Sequence, residues 1–140
     1  MFGMMAPMAK KADKTKEATS RRRRFLVVDD EPEIVDILTE RFTGDGYAVV
    51  AAHDGTKAMR LVRAKRPDLV FLDIQMPGLS GIEVLKAIKK LDSQLPVIMI
   101  TANADDEVAA EAIREGAFSY VPKPLDFRYL DHLVALALGR

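Results

Sequence analysis

Cysteine is absent from all 140 residues of the chain. Disulfide bonds, thiolate metal sites and cysteine nucleophiles are therefore excluded, and cysteine usage does not indicate a redox compartment. No apolar run approaches the roughly 20 residues that a membrane-spanning helix needs. The short apolar start precedes its basic residues, whereas a secretory signal places its cations first, so we expect a cytoplasmic protein.

A glycine-rich phosphate-binding loop is also missing. The turn after the first apolar run, residues 29–33, reads Asp-Asp-Glu-Pro-Glu and contains no Gly-x-Gly-x-x-Gly pattern. Its acids would repel a pyrophosphate. A dinucleotide-binding enzyme is therefore disfavoured.

The formal net charge of zero is the sum of two segments of opposite sign. Residues 1–24 carry a net charge of +6 and the remainder carries −6. Residues 1–23 have few apolar side chains between Lys10 and Ser20, so they are predicted to be a basic, disordered tail ahead of one domain over residues 24–140. Two interpretations of Arg21–Arg24 stay open: a solvated junction, or a contact with an acidic partner, nucleic acid or anionic membrane.

From Phe25 onward, short apolar runs alternate with segments of helical period. The five runs, at residues 25–28, 47–50, 69–72, 97–100 and 118–121, predict strands, and three of them are apolar throughout, as in strands buried on both faces. Between and after them, five helices are predicted. Their apolar faces are Ile34, Ile37, Leu38 and Phe42; Ala58, Leu61 and Val62; Ile82, Leu85 and Ile88; Val108, Ala109, Ala112 and Ile113; and Phe127, Leu130, Val134 and Leu138. Alternating strands and helices predict a doubly wound α/β domain with a parallel sheet.

Chemistry-bearing side chains follow the ends of four runs. Asp29 and Asp30 follow the first, Asp73 the third, Thr101 the fourth and, across Pro122, Lys123 the fifth. Parallel strands deliver these residues to one edge of the sheet, where ligands bind. Clustered carboxylates without His or Cys suit a hard ion, Mg²⁺ or secondarily Mn²⁺, and such a set can support phosphoryl transfer to a carboxylate.

The sequence resembles the receiver domain of two-component response regulators. The resemblance is carried by Val27-Val28-Asp29-Asp30-Glu31-Pro32, Leu72-Asp73-Ile74-Gln75-Met76-Pro77-Gly78, Ile100-Thr101-Ala102 and Tyr120-Val121-Pro122-Lys123-Pro124. It covers about residues 24–138. It implies a flavodoxin-like (βα)5 fold with strand order 2-1-3-4-5, a signalling module and not an enzyme with a separate substrate, and phosphate received from a histidine kinase or a histidine phosphotransfer protein.

The resemblance also implies a role for each matched residue. Asp73 would be the phosphoacceptor, and Lys123 and Thr101 would contact the phosphoryl group. Mg²⁺ would be held by Asp30, Asp73 and the backbone carbonyl of Gln75, with Asp29 acting through water. The Lys123-Pro124 peptide bond would be cis.

Regulation is implied at a second surface. Tyr120 matches an aromatic switch position that turns inward when the Thr101 hydroxyl moves toward phosphate, so the fourth helix, fifth strand and fifth helix would form the surface for a target or a homodimer. Gln75 and Asn103 occupy positions that tune dephosphorylation. Neither is acidic, so we expect no unusually fast self-hydrolysis. Pro122 removes a backbone donor, which is tolerable if the fifth strand lies at the sheet edge.

Simpler readings of single residues weigh against these roles. Asp29 and Asp30 alone could cap a helix, Asp73 could form a turn, and His53 is read as a surface residue. A phosphatase with an Asp-x-Asp nucleophile is disfavoured because position 75 is Gln. Two alternatives remain open: a receiver cut from a larger DNA-binding or hybrid-kinase protein, and a pseudo-receiver that binds partners without phosphorylation. The domain itself is not expected to bind nucleic acid.

Overall fold

The computed structural model describes residues 22–102 and 106–139. Strands and helices alternate along this part of the chain. The strands are β1 (Arg24–Val28), β2 (Ala48–Ala52), β3 (Leu69–Asp73), β4 (Val97–Thr101) and β5 (Ser119–Pro122). The helices are α1 (Pro32–Gly44), α2 (Gly55–Lys65), α3 (Gly81–Leu91), α4 (Asp106–Arg114) and α5 (Phe127–Ala137).

The five strands form one parallel sheet in the order β2-β1-β3-β4-β5. This confirms the predicted doubly wound, flavodoxin-like architecture. The chain reverses its direction of travel across the sheet between β2 and β3, so the carboxyl ends of β1 and β3 flank the point where such folds bind ligands.

The three central strands are buried on both faces, as their continuous apolar runs predict. On one face they pack against α2, α3 and α4, with Leu72, Leu85 and Met99 among the fully buried residues. On the other face α1 and α5 cover Phe25 and Phe71. Because helices pack on both faces, the strands are held in place, and the residues at the strand ends are held in place with them.

The two edge strands differ slightly from their predicted bounds. β2 begins one residue later than its apolar run and continues through Ala52, because Ala51 and Ala52 pair with Val27 and Val28 of β1. β5 lies at the opposite edge and ends at Pro122, paired with Thr101. An edge strand tolerates the missing backbone donor of Pro122.

Helix starts follow the sequence signals. Asp54 accepts a hydrogen bond from Lys57 N at the start of α2, and Asp126 caps α5 by accepting from two backbone amides. Ser80 and Glu83, three residues apart, form a capping box at the start of α3. α1 begins with Pro32, and Glu31 is its N-cap residue by backbone position but makes no side-chain cap.

Two of the predicted helix faces were partly wrong. Ile37 is 44% exposed, and Val35 is buried in its place. The buried side of α1 is centred between Val35, Leu38 and Phe42, and at roughly 100° per residue Ile37 points well away from that direction. Ile113 of α4 is likewise 46% exposed, because α4 places its smaller Ala109 and Ala112 against the sheet.

Within the described residues, none of the helices has the length and apolarity needed to cross a membrane. Most of the predicted tail, residues 1–21, and the Asn103 position lie outside the described residues.

Candidate functional site

Three carboxylates meet at the carboxyl edge of the sheet. Asp29 and Asp30 follow β1, Asp73 ends β3, and one carboxylate oxygen from each lies within 4.8 Å of the others. Asp29 and Asp73 are buried, whereas Asp30 is exposed. The two strands are neighbours in the sheet, and this adjacency brings together residues that are more than 40 positions apart in the sequence.

Local backbone bonds orient the two buried carboxylates. The amide of Glu31 donates to Asp29 Oδ1 at 2.9 Å, and the amide of Gln75 donates to Asp73 Oδ1 at 3.2 Å. Each bond joins a carboxylate to the amide two residues later, as in an Asx turn. One oxygen of each carboxylate is thus held by the loop, and the other faces the site.

Lys123 is the cation of the site. It follows β5, its side chain is only 12% exposed, and its Nζ lies 3.0 Å from Asp29 Oδ2 and 3.7 Å from Asp73 Oδ2. The backbone amide of Lys123 donates to Thr101 O at 2.8 Å, which ties the loop after β5 to the end of β4. The peptide bond between Lys123 and Pro124 is cis.

The carboxyl group of Asp73 is electrostatically strained. Burial, followed by the neighbouring charge of Asp29, raises its pKa to about 7, although Lys123 and the Gln75 amide act in the opposite direction. A single ammonium group therefore does not compensate the acids gathered at this edge. The buried Asp29 Oδ2 accepts no hydrogen bond from the described residues, although Lys123 lies beside it.

These features fit a divalent cation. Oxygen donors, an excess of negative charge and a buried oxygen without a hydrogen bond are the donor chemistry that Mg²⁺ or Mn²⁺ prefers. Asp29, Asp30 and Asp73 converge as the sequence predicts. Gln75 lies two residues past Asp73 and is exposed, and its backbone carbonyl is the fourth predicted donor.

Thr101 and Tyr120 occupy the side of the site toward β5. Thr101 ends β4 and is 2% exposed. Tyr120 pairs in register with Met99 and is half-buried against the core beneath α2, α3 and α4. The two predicted switch residues thus lie on adjacent strands.

Sequence reasoning missed two neighbours of the site. Glu31 reaches Lys123, with 2.7 Å between Oε1 and Nζ. His53 is exposed, as expected of a surface residue, but its Nδ1 lies 3.1 Å from the backbone carbonyl oxygen of Asp29. The sequence did contain a signal for both residues. Glu31 directly follows the Asp pair and His53 directly follows β2, so a parallel sheet places both at the edge that carries the site.

Comparison with known proteins agrees with this geometry. The family model of the response regulator receiver domain matches residues 25–135. The chain belongs to this family. It is a receiver domain of the response regulators that act in two-component systems.

Two curated relatives are similar over the receiver domain only. Regulatory protein AtoC of Escherichia coli is 41% identical over 82% of this chain and 25% of its own length. DNA-binding response regulator MtrA of Mycolicibacterium smegmatis is 41% identical over 85% of this chain and 52% of its own length. The chain thus spans between a quarter and about half of these relatives.

Solved receiver structures share the whole fold. The receiver domain of NtrX from Brucella abortus is 37% identical, with a TM-score of 0.78, over 82% of this chain and 98% of that one. A CheY-like receiver domain protein from Methanospirillum hungatei is 28% identical, with a TM-score of 0.81, over 84% of this chain and 94% of that one. The described fold is therefore that of a complete receiver domain.

Proposed function

We propose that Asp73 is the phosphoacceptor of this receiver, taking its phosphoryl group from a phosphohistidine of a histidine kinase or phosphotransfer protein. The observation that carries the proposal is the convergence of buried Asp73 with Asp29, Asp30 and Lys123 at one edge of the sheet. A turn-forming or helix-capping Asp needs neither burial nor a cation partner 50 residues away in the sequence. Phosphoryl chemistry needs both.

In the proposed step, a carboxylate oxygen of Asp73 attacks phosphorus. The new P–O bond forms as the P–N bond of phosphohistidine breaks, and the imidazole leaves with the bonding electron pair. Lys123 balances charge on the phosphoryl oxygens, and the Thr101 hydroxyl donates a hydrogen bond to one of them. Asp73 is only 3% exposed, and this burial limits attack by water.

Mg²⁺, or Mn²⁺ in its place, would be held by Asp30, Asp73 and the carbonyl of Gln75, with Asp29 acting through water. When bound, it would neutralise the crowded carboxylates and the transferring phosphoryl group. The raised pKa of Asp73 supports this assignment, because a cation would favour the ionised nucleophile. Gln75 is not acidic, and so we expect an acyl phosphate that persists longer than seconds.

Phosphorylation would act on a surface made of α4, β5 and α5. Thr101 would move toward the phosphoryl group and Tyr120 would move inward behind it, biasing a two-state equilibrium. The exposed apolar residues Ile113 on α4 and Phe118 ahead of β5 support a contact surface here. Its occupant would be a target protein or a second copy of the chain.

The deciding experiment uses a small acyl-phosphate donor. Wild-type protein and Asp73→Asn are incubated with the donor, with and without Mg²⁺, and weighed by intact mass spectrometry. We expect the wild type alone to gain one phosphoryl group, and only with Mg²⁺. An equal gain in Asp73→Asn would refute the assignment of Asp73, and no gain in the wild type would favour the pseudo-receiver.

The output of the whole protein is a separate proposal. MtrA is named as a DNA-binding response regulator, and this chain corresponds to about half of it. We propose that residues 24–140 form the receiver unit, that residues 1–23 are a basic tail outside it, and that DNA binding belongs to another domain. Comparing salt-dependent binding to DNA and to anionic vesicles, with and without residues 1–23, tests whether the tail contributes.

A further inference from the structure

The closest partner of Lys123 is not Asp73. Its Nζ donates a hydrogen bond to Glu31 Oε1 at 2.7 Å and lies 3.0 Å from Asp29 Oδ2, whereas Asp73 Oδ2 is 3.7 Å away. The distance of 3.7 Å is too long for a hydrogen bond. In the unmodified protein, the ammonium is therefore bonded toward the rim of the site.

Glu31 is placed for this contact by the start of α1. Its backbone carbonyl accepts from the amides of Ile34 and Val35, so the residue occupies the N-cap position. Its side chain makes no cap hydrogen bond and extends instead to a lysine 92 positions later. The backbone amide of Glu31 also donates to Asp29, which fixes the residue from which the side chain projects.

We propose that Glu31 is a positioning residue that holds Lys123 away from Asp73 until the phosphoryl group displaces it. This inference rests on the proposed function of Asp73. Phosphorylation must draw the ammonium toward the new oxygens, and the bond to Glu31 then has to lengthen or break. Glu31 thereby sets how readily Asp73 is modified.

The negative charge of Glu31 at the rim of the site should also slow the phosphorylation of Asp73. Glu31 has a half-exposed side chain, so it presents a carboxylate where an anionic phosphodonor must enter. Asp29 is buried and remains beside Lys123 when Glu31 is changed. Loss of Glu31 should therefore release the ammonium toward Asp73 without freeing it into solvent.

The experiment compares Glu31→Gln with Glu33→Gln. Glu33 lies in the first turn of α1, is exposed, and makes no ion pair or side-chain hydrogen bond within the described residues, so its substitution removes the same charge nearby. With acetyl phosphate and saturating Mg²⁺, we expect Glu31→Gln to be phosphorylated about two- to fivefold faster than wild type, the size typical of a half-exposed ion pair. Glu33→Gln should match wild type.

Glu31→Asp separates contact from charge. It keeps the carboxylate but is one methylene shorter, so it should lose the 2.7 Å bond and be phosphorylated faster than wild type, but less so than Glu31→Gln, which also removes the rim charge. In metal-free, unphosphorylated protein, the Lys123 ¹⁵Nζ resonance should also shift in both Glu31 variants and not in Glu33→Gln. This second readout does not depend on phosphotransfer.

The outcomes are distinguishable. Equal rates in wild type and Glu31→Gln, or an unmoved Lys123 resonance, would overturn the role of Glu31 and leave the proposed function standing. A rate in Glu31→Asp equal to wild type, or an equal acceleration in Glu33→Gln, would reduce the effect to bulk charge and also overturn it. If wild type gains no phosphoryl group, both proposals fail.

Discussion

Gly81, the first residue of α3, lies directly against the backbone of Asp73. A Cβ at position 81 would come 2.6 Å from the Ile74 Cα and 2.9 Å from the Asp73 carbonyl carbon. The amide of Gly81 also donates to Ile74 O at 2.8 Å. The start of α3 and the backbone at Asp73 are thus packed so closely that only a glycine fits between them.

Replacing this glycine should therefore affect both the fold and the site. We expect Gly81→Ala to lower the free energy of unfolding by about 1 to 3 kcal/mol, because the new methyl group meets backbone that has no room to move. Gly44→Ala is the matched control, since nothing lies within 4 Å of a Cβ there. Urea unfolding of both variants checks the prediction, and equal stabilities would contradict it.

The raised pKa of Asp73 predicts a pH dependence of stability in metal-free protein. With a pKa of about 7 against an ordinary 3.8, the folded state binds more protons than the unfolded state between these values. Stability contributed at this site is therefore lost as the pH rises from about 4 to 7. Asp73→Asn cannot ionise, so its advantage over wild type should grow by about 2 kcal/mol between pH 5 and pH 8. Urea unfolding in EDTA at the two pH values measures the difference, and a constant difference would refute the shifted pKa.

Mg²⁺ should stabilise the protein through the same carboxylates. Ligand linkage predicts a gain of about 2.7 kcal/mol when the ion is present at 100 times its Kd. The gain should be larger at pH 8 than at pH 5, because the ion needs Asp73 deprotonated. Asp30→Asn should remove most of it, whereas Asp36→Asn, an exposed acid on α1, should keep it. Thermal unfolding with and without Mg²⁺ tests this, and equal gains in both variants would contradict the site.

Two phenylalanines should differ sharply in their contribution to stability. Phe42 of α1 is 1% exposed and stacks on Phe71 with 5.2 Å between ring centroids, so Phe42→Ala should cost about 3 to 5 kcal/mol. Phe118 belongs to a predicted strand but is 42% exposed, and Phe118→Ala should cost less than about 1 kcal/mol. Denaturant midpoints of the two variants measure the difference. A large loss of stability in Phe118→Ala would contradict the prediction, because it would show that Phe118 is packed.

Much of the fold could be predicted because its signals are local. The apolar runs of β1, β3 and β4 and the caps at Asp54, Ser80 and Asp126 depend on neighbours within a few residues. Ile37 was misplaced because periodicity alone does not show where the centre of a helix face lies. That centre is set by the sheet beneath α1.

The candidate site was predictable as far as strand ends determine it. Each predicted site residue ends a strand or follows one, so a parallel sheet must bring them to one edge. These residues are Asp29, Asp30, Asp73, Thr101 and Lys123. The contact between Glu31 and Lys123 was not predictable. The Lys123 ammonium lies 2.7 Å from Glu31, 3.0 Å from Asp29 and 3.7 Å from Asp73, and sequence spacing does not resolve such small differences in distance.

The sequence by itself determined the alternation of strands and helices, the edge at which the chemistry collects and the family that the motifs resemble, because each depends on local pattern and strand direction. Only the tertiary structure decided how the charges are shared. It buries Asp29 and Asp73 together, raises the pKa of Asp73, and holds Lys123 nearer to Glu31 than to the proposed phosphoacceptor. Electrostatic interactions depend on separation and on exclusion of water, and both are fixed only when distant strands pack.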